Sequence, residues 1–418
     1  MSDSNALRAV ASELVKHSDA LFAAGGERRA RWLADALQLL VRPDTALGRE
    51  ARRALAFSSG LSEPMVEWAL ATGLGPLTFD ALAALERLPT PPHPHARRVR
   101  AGQLCVVVLA GNIAIGPARA VAIPLLFGWP VLAKASSEDD ALARLLEAAL
   151  VESDPELARA YHVVTFGGEH EALSAALFEQ ADAVSVYGGD ATVNAVRAQL
   201  GATVSFVGHG HGLGAAYIAR AALSSADHAR QLAQRLALDV AAYDQRGCLS
   251  PHVAWVERGA ELSPERFAEM LFGELAALHP TLPRGTLSRA SASAQLSWRG
   301  VSAIRGTLLE GDGFAVAYEE SGPLRVSPGY RNIQVIAIAD LEELLAKLSP
   351  LGVHLKCLAV AGAELGSLLP WLPARVAPRL CEVGEMQLPP PHALQDGLAP
   401  WDGLLRWADS FPANSTRH

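Results

Sequence analysis

Between residues 104 and 218, short and almost continuous apolar runs alternate with segments of helical periodicity, which restricts the fold more than any other feature. The runs at 104–109, 131–134, 162–165, 183–187, 203–207 and 215–218 predict strands, and the segments 117–127, 138–152, 169–180 and 191–200 predict helices. Strands without polar alternation are buried on both faces, as in a parallel sheet covered by helices. We therefore predict an α/β fold whose ligands bind beyond the carboxyl ends of its strands.

Other regions extend this pattern on both sides. Apolar residues recur at helical spacing in 7–22, 32–40 and 65–70, and a Pro- and His-rich connector follows at 89–95. Beyond residue 242 we predict a second α/β lobe, with helices at 264–278 and 341–348, strands at 314–318, 333–338 and 355–361, no element in 279–313, and a short helix around 404–411. Since 418 residues exceed the usual size of one core, we predict separate regions at 1–100, 101–241, 242–380 and 381–418.

Composition and charge exclude several classes of function. A net charge of −8 argues against nucleic-acid backbones and anionic membranes as partners. The four cysteines are scattered without a CxxC pair, which indicates neither a disulfide scaffold nor a metal site and suits a cytoplasmic protein. In the stretch 104–133 the only charge is Arg119, but Gly and Pro divide it into pieces too short to span a bilayer, so we expect no membrane insertion.

Cys248 lies between Gly247 and a Leu-Ser-Pro turn, directly after a helical pattern at 222–238. A cysteine thiolate attacks carbonyl carbons when it is accessible and its pKa is lowered. An isolated cysteine is more often a small buried residue of the core. The residue type alone therefore leaves a nucleophile and a core residue as alternatives.

The predicted strands that begin at 104 and 131 end in polar side chains. Asn112 is suited to hydrogen bonding with an oxygen that becomes negative during a reaction, or to a simple turn. Lys134, Ser136 and Ser137 could hold a ribose or a phosphate, although one serine is explained by helix capping.

The strands that begin at 183 and 203 end in glycines and histidines. Gly188 and Gly189 precede a helix, where backbone N–H groups favour an anion such as a pyrophosphate. His209 and His211 would share one face of a strand, but two ligands do not make a zinc site. We expect no metal and leave open whether one of these histidines moves a proton.

Taken together, these segments resemble the aldehyde dehydrogenase superfamily, and within it the acyl-CoA reductase branch that includes the fatty-acid reductase subunit of bacterial luminescence. The matching stretches are LAGNI at 109–113, VLAKASS at 131–137, FGGE at 166–169, VYGGD at 186–190, FVGHGH at 206–211 and YDQRGCLSPH at 243–252. The resemblance covers residues 102–252 well and the remainder loosely. It implies a Rossmann-type cofactor lobe, a second α/β lobe that carries the catalytic cysteine, and an active site between them.

The resemblance also implies roles for single residues. Cys248 would be the nucleophile, with Asn112 stabilising the oxyanion. A separate hypothesis, which comes from the residue types and not from the resemblance, gives His209 or His211 a part in thiolate activation or proton return. For the cofactor, Lys134 would contact the adenosine ribose, Ser136 or Ser137 would accept a 2′-phosphate, and Gly188 and Gly189 would lie near the pyrophosphate and nicotinamide. The branch generally uses NADPH, so we expect NADPH, with NADH as the alternative.

Two departures from the superfamily matter for the reaction. Members that oxidise aldehydes carry a glutamate base before the cysteine, whereas the comparable stretch here, 207–210, holds no carboxylate. Without that base we do not expect free acid as product. The superfamily's ribose-binding glutamate would correspond to Cys381, so Glu382 is our candidate for that contact.

The expected function is the reduction of an acyl thioester, fatty acyl-CoA above all, to an aldehyde through a covalent cysteine thioester. We expect a homodimer and leave open a partner enzyme that supplies or consumes acyl groups. The alternatives are an acyltransferase or thioesterase that uses the same cysteine without redox chemistry, a reductase of acyl phosphates, and a non-catalytic partner in a biosynthetic complex.

Overall fold

The computed structural model describes residues 3–111, 113–376 and 378–411, which form two sheets of mainly parallel strands with helical layers. The N-terminal helices are α1 (Ser4–Lys16), α2 (Ser18–Ala23), α3 (Gly25–Val41), α4 (Ala46–Ser59), α5 (Glu63–Ala69) and α6 (Phe79–Arg87). Strand β1 (Ala96–Val99) follows the Pro- and His-rich connector. Among the described residues no single helix is long and apolar enough to cross a membrane, although Glu63–Leu74 and Phe79–Arg87, bent by 44°, meet the length and composition test as a pair.

The first sheet contains five parallel strands in the order β4-β3-β2-β5-β6. Its elements along the chain are β2 (Cys105–Val108), α7 (Gly116–Leu126), β3 (Val131–Ala135), α8 (Ala141–Ser153), β4 (Tyr161–Thr165), α9 (Glu171–Phe178), β5 (Ala183–Tyr187), α10 (Asp190–Arg197) and β6 (Ser205–His209). Helices α3, α4, α7 and α8 cover one face of this sheet, and α1 and α9 cover the other. The predicted strand–helix alternation is confirmed here: β2, β3 and most of β4 and β5 are buried between these helices, whereas the edge strand β6 is half-buried along its length.

The second sheet contains seven strands in the order β13-β12-β7-β8-β11-β10-β9, antiparallel only between β9 and β10. Its elements are β7 (Leu213–Ile218), α11 (Ala226–Ala241), β8 (Pro251–Glu257), α12 (Pro264–Leu278), α13 (Arg289–Arg305), β9 (Thr307–Gly311), β10 (Phe314–Glu319), β11 (Asn332–Ile338), α14 (Leu341–Leu348), β12 (Leu355–Ala361), α15 (Leu365–Leu368) and β13 (Arg379–Glu382). Side-chain caps begin its longer helices, since Ser225 accepts from the N–H of His228 and Ser263 from that of Arg266. Together the two sheets confirm the α/β class and the second lobe.

Three details of the sequence prediction are corrected. The run at 215–218 belongs to β7 of the second sheet, so the sheets divide the chain near residue 210 instead of residue 241. The segment 279–313 is not without elements, because it holds α13 and β9. The predicted helix around 404–411 is wrong: β14 (Arg406–Asp409) lies there and pairs with β1 in an antiparallel ribbon.

The two sheets meet where the candidate site lies. The carboxyl ends of β5 and β6 lie near the loop between α11 and β8, because β6 ends at His209 just before β7 begins at Leu213, and Gly214 of β7 pairs with Pro251 at the amino end of β8. This loop carries the cysteine. This loop begins with three consecutive residues in left-handed backbone, Tyr243, Asp244 and Gln245, with φ of 52°, 51° and 60°. Left-handed backbone is strained for residues other than glycine, so surrounding contacts must hold it.

A buried polar network holds this left-handed segment. Asp244 and Arg331, both with side chains only 2% exposed, form an ion pair at 2.7 Å. The Asp244 carboxylate also accepts from the backbone N–H of Gly285 at 2.9 Å. The Gln245 amide donates to the carbonyls of Pro251 and Asn332 and accepts from the N–H of Asn332 at 2.8 Å. The start of the cysteine loop is thereby tied to β8 and β11.

Replacing Asp244 with Asn should destabilise the protein by about 3–5 kcal/mol, because it leaves the buried guanidinium of Arg331 without its counter-charge. The measurement is the free energy of unfolding in urea. Asp44→Asn is the matched control, since Asp44 pairs with Arg42 at an exposed position and should change stability by less than about 1 kcal/mol. Equal effects of the two substitutions would contradict the role given to the buried pair.

Candidate active site

Cys248 is half-buried in a tight loop at the junction of the two sheets. The N–H of Ser250 donates to the carbonyl of Gly247 at 3.0 Å, and the N–H of Gly214 donates to the carbonyl of Ser250 at 2.9 Å. A Cβ on Gly247 would lie 3.3 Å from both the Ile113 side chain and the Ser250 hydroxyl. The loop thus packs on the segment that follows β2, and a side chain at position 247 would require these neighbours to shift.

A turn at 384–387 supports the same loop from the side of the second sheet. The Asp239 carboxylate, near the end of α11, accepts from the backbone N–H groups of Gly384 at 2.6 Å and Met386 at 3.0 Å. The amide of Gln387 then donates to the Ser250 hydroxyl at 3.3 Å. Burial raises the pKa of Asp239 to about 7, against the effect of these N–H donors. The position of the cysteine loop therefore depends on chain segments far apart in sequence.

The thiol of Cys248 is not acidic in this structure. Burial raises its pKa to about 11, the negative charge of Asp396 acts in the same direction, and the positive charge of Lys356 opposes both. The backbone N–H of Cys248 also lowers the pKa by hydrogen bonding to the sulfur. A nucleophile with such a pKa needs a base that takes its proton during the attack.

A histidine with a carboxylate partner stands at the same junction. His209, at the end of β6, makes a 2.7 Å hydrogen bond from Nδ1 to Asp396, and Lys356 Nζ lies 2.5 Å from the other oxygen of that carboxylate. Although burial opposes it, these two bonds keep the pKa of Asp396 below its ordinary value. The ring of His209 stacks on Tyr187 at 4.5 Å between centroids. A carboxylate fixes the orientation and tautomer of an imidazole in this way, which leaves Nε2 as the nitrogen able to take a proton.

His211 lies in a different setting. Its side chain is exposed, its backbone N–H donates to Asp190 at 2.9 Å, and its carbonyl accepts from His354 at 3.0 Å. The nearby His252 is held by Ser327, and burial lowers its pKa to about 4. Among the described residues, the ring of His209 therefore has a carboxylate partner and the ring of His211 has none.

The residues predicted for the cofactor lie at the carboxyl ends of the first sheet. The Nζ of Lys134 lies 5.3 Å from the centroid of the Phe166 ring. Burial lowers the pKa of Lys134, and the charge of Glu169 opposes this effect. Ser136 caps the following turn by accepting from the N–H of Glu138 at 3.2 Å, and the side chain of Ser137 is exposed. Neither serine is committed to a charged partner among the described residues.

The glycine turn after β5 is open. Gly189 precedes α10 without a side-chain cap, and a Cβ there would meet no atom within 4 Å. At Gly188 a Cβ would lie 3.3 Å from Thr192. The first N–H groups of α10 are thus accessible to an anion, as a pyrophosphate site requires.

Two predicted residues are not brought to this junction by described contacts. Asn112 lies outside the described residues. The side chain of Glu382 is 70% exposed and lies 3.7 Å from Arg235. In the sheet, Glu382 pairs with Val360 toward the carboxyl end of β12. The cysteine loop, in contrast, adjoins the amino ends of β7 and β8. Within 3–111, 113–376 and 378–411, no group of three or more His, Cys, Asp or Glu side chains could hold a metal ion.

The sequence analysis missed Asp396 and Lys356. Asp396 has left-handed backbone, φ 56°, in a Gln-Asp-Gly turn, which reads as an ordinary turn aspartate. It lies 187 residues from His209 in the chain. No local pattern could therefore predict this pair.

A sequence model of one protein family, described as Acyl-CoA reductase (LuxC), matches residues 89–407. This span contains the cysteine loop, all strands of both sheets and β1, together with the candidate cofactor residues. Among curated proteins, none matches the sequence at a significant level.

Solved structures of aldehyde dehydrogenases share the fold. The indole-3-acetaldehyde dehydrogenase AldA of P. syringae, in complex with NAD⁺ and IAA, is 14% identical with a TM-score of 0.78, over 98% of this chain and 89% of that chain. The NAD-dependent aldehyde dehydrogenase of Sinorhizobium meliloti is 14% identical with a TM-score of 0.77, over 99% and 89%. Aldehyde dehydrogenase 21 of Physcomitrella patens, in complex with the reaction product succinate, is 15% identical with a TM-score of 0.74, over 96% and 88%. At these identities the likeness shows the fold alone.

The charges of Asp396 and Lys356 should set the alkylation rate of Cys248 in opposite directions. Asp396→Asn removes the charge that raises the thiol pKa, so iodoacetamide should label Cys248 several-fold faster at pH 8, whereas Lys356→Met should slow it. Wild-type labelling should keep rising with pH beyond 9. Peptide mass spectrometry follows Cys248, with the buried Cys105 as the internal control. A wild-type rate that levels off below pH 8 would contradict the raised pKa.

Proposed function

Since the chain belongs to the acyl-CoA reductase (LuxC) family and has the aldehyde dehydrogenase fold, we propose that it reduces an acyl thioester to an aldehyde with NADPH, through a thioester on Cys248. Fatty acyl-CoA is the proposed substrate. The observation that carries the proposal is the half-buried Cys248, whose thiol pKa is raised by burial and by the charge of Asp396, the carboxylate that also bonds His209.

The first half of the reaction uses only groups of this chain. Nε2 of His209 takes the proton of Cys248, and the sulfur attacks the thioester carbonyl. The backbone N–H of Cys248 and, by the family resemblance, Asn112 donate to the oxyanion. When the tetrahedral intermediate collapses, the C–S bond to the carrier breaks, the leaving thiolate takes the proton from His209, and the acyl group stays on Cys248.

The second half needs a nicotinamide cofactor, whose reduced ring supplies the hydride. Lys134 would hold the adenosine ribose, Ser136 or Ser137 a 2′-phosphate, and the Gly188–Gly189 turn the pyrophosphate. The uncapped start of α10, the exposed Ser137 and the hydroxyl of Ser136, which accepts from the backbone N–H of Glu138, fit such a group. After reduction, the hemithioacetal oxygen reforms a carbonyl, the bond to Cys248 breaks, and aldehyde leaves. The sum is acyl thioester, NADPH and one proton giving aldehyde, thiol and NADP⁺.

The preference for NADPH over NADH follows from the family resemblance and from the hydroxyls beside Lys134. For the nicotinamide ribose, the proposed contact is Glu382, although its exposed position toward the carboxyl end of β12 gives no support to it. His211 stays a weaker candidate than His209 for moving the proton, because no carboxylate holds its ring among the described contacts. A homodimer and a partner enzyme that supplies or consumes acyl groups are also proposed, on the resemblance alone.

One observation favours a second candidate, acyl transfer without redox chemistry. The cysteine, His209 and Asp396 are the residue types of a thiol–imidazole–carboxylate triad. Such a site could pass the acyl group from Cys248 to water or to another thiol. Consumption of NADPH separates the two functions, because acyl transfer leaves the nicotinamide unchanged.

The reductase proposal predicts that acyl-CoA thioesters of graded length drive a loss of NADPH absorbance, with one aldehyde formed per NADPH. Cys248→Ala should abolish turnover, but NADPH binding should still quench the protein fluorescence of this variant. Asn112→Ala should lower kcat about 10²–10³-fold. Cys105→Ala is the matched control, since Cys105 is buried in β2. Full reductase activity in Cys248→Ala would refute the proposal, and thioester cleavage without NADPH loss would favour acyl transfer.

A further inference from the structure

Asp239 differs from the other buried acidic side chains of the described chain. It lies in the last turn of α11, is only 1% exposed, and forms no ion pair with a described residue. Burial and the partial negative charge at the end of a helix both disfavour a carboxylate at this place. An uncharged acceptor would avoid this cost, which indicates that the charge itself is needed. The other buried acidic side chains each pair with an arginine, and they are Asp244, Glu257 and Glu319.

The carboxylate of Asp239 holds the turn at 384–387 with both of its oxygens. One oxygen accepts from the N–H of Gly384 at 2.6 Å, and the other accepts from the N–H of Met386 at 3.0 Å. Gly384 has left-handed backbone, with φ of 98°, so the turn has a defined shape. Hydrogen bonds to an ionised acceptor are about twice as strong as bonds between neutral groups. The charge therefore fixes both the position and the orientation of this turn.

The turn contacts the cysteine loop at the two residues that follow the cysteine. The amide of Gln387 donates to the Ser250 hydroxyl at 3.3 Å. A Cβ on Gly214 would lie 2.6 Å from Met386 Cε and 2.2 Å from the carbonyl oxygen of Leu249. The turn and the loop thus meet over this glycine, and a shift of the turn moves the loop with it.

These contacts determine the direction of one backbone N–H group. The N–H of Ser250 donates to the carbonyl of Gly247 at 3.0 Å. That carbonyl and the N–H of Cys248 belong to the same planar trans peptide, so they point in opposite directions. Restraint of Ser250 therefore also orients the N–H of Cys248.

We propose that Asp239 is a positioning residue: its carboxylate, through the turn at 384–387 and Ser250, aims the backbone N–H of Cys248 at the oxyanion. The inference rests on the proposed function, because it requires an oxyanion to form when Cys248 attacks an acyl group. A donor that is fixed before the reaction stabilises the new charge without reorganisation. A carboxylate that only stabilised the fold would change the stability of the protein and every reaction of the cysteine alike.

Ionisation of Asp239 should change this restraint near neutral pH. Burial raises the pKa of Asp239 to about 7, while backbone N–H groups of the turn lower it and the charge of Glu385 raises it further. Below that pH the carboxyl group is neutral, and its bonds to the N–H groups lose the contribution of the charge. Helix α12 packs on α11 through apolar side chains. The other titratable groups around the turn bond to each other or to carbonyls, and they are Arg235 with Glu382, Arg379, and Cys357 with Cys381.

The test compares two reactions of Cys248 that differ in one respect. Acylation by p-nitrophenyl acetate passes through an oxyanion, whereas alkylation by iodoacetamide displaces iodide and forms none. Both reactions use the thiolate, so the ratio of their second-order rate constants reports oxyanion stabilisation separately from the acidity of the thiol. Peptide mass spectrometry assigns both adducts to Cys248. Neither reaction needs NADPH or coenzyme A, so the ratio is independent of whether the protein reduces thioesters.

The variants are Asp239→Asn, Gln387→Met and the two combined. Asp182→Asn is the matched control, because Asp182 also accepts from two backbone N–H groups, those of Gln103 and Leu104, but lies at the amino ends of the strands of the first sheet. Thermal unfolding shows whether each variant is folded. If Asp239→Asn does not fold, Gln387→Met carries the test alone, since it removes the bond to Ser250 and leaves the carboxylate in place.

At pH 8 the ratio of acylation to alkylation should fall about tenfold in Asp239→Asn and in Gln387→Met, and no further in the double variant, because both act through one path. Asp182→Asn should leave the ratio unchanged. Between pH 8 and pH 6 the ratio should fall in the wild type, as Asp239 takes up a proton, and stay constant in Asp239→Asn.

Four results overturn the inference: a ratio that either single substitution leaves unchanged, effects that add in the double variant, a wild-type ratio independent of pH, and a wild-type Cys248 that is alkylated but not acylated. A wild type that shows the expected ratios but consumes no NADPH with any acyl-CoA would instead refute the reductase function alone.

Discussion

The arrangement of this protein depends on one constraint, the placement of a cysteine loop between the ends of two parallel sheets. Left-handed backbone at 243–245 turns the chain from α11 into β8, and the buried pair of Asp244 and Arg331 compensates the strain. On the other side the Asp239 carboxylate fixes the turn that holds Ser250 through Gln387. These contacts come from two separate parts of the second lobe, the start of β11 and the turn after β13. Together they fix the position of the loop that carries Cys248.

A raised thiol pKa and a nucleophilic role are compatible in this setting. Burial and the charge of Asp396 keep the sulfur protonated at rest, so reactivity depends on proton transfer at the moment of attack. The same carboxylate that disfavours the thiolate orients the imidazole of His209. The positive charge of Lys356 pairs with this carboxylate and opposes its effect on the thiol pKa. One aspartate thus links the acidity of the nucleophile to the position of its proposed base.

The sequence predicted the parts of the structure that depend on local patterns. Uninterrupted apolar runs located β2 to β6, and the glycine before Cys248 indicated a tight loop. The run at β7 was assigned to the wrong sheet, because a fully buried strand carries no mark of the sheet to which it belongs. Helix α13 was missed because it exposes Leu296 and Ile304 and buries Gln295 and Ser302, so its apolar residues do not mark the buried face. Asp396 and Lys356 could not be predicted, since their meeting with His209 is a tertiary contact.

The central claim is that the acyl group is carried by Cys248 before it is reduced. The most direct measurement is mass spectrometry of the protein mixed with acyl-CoA in the absence of NADPH, followed by digestion. The account predicts one added acyl group on the peptide that contains Cys248, formed more slowly in His209→Asn, and released as aldehyde when NADPH is added. Reduction that proceeds with no acyl group on Cys248, or with the group on another residue, would contradict it.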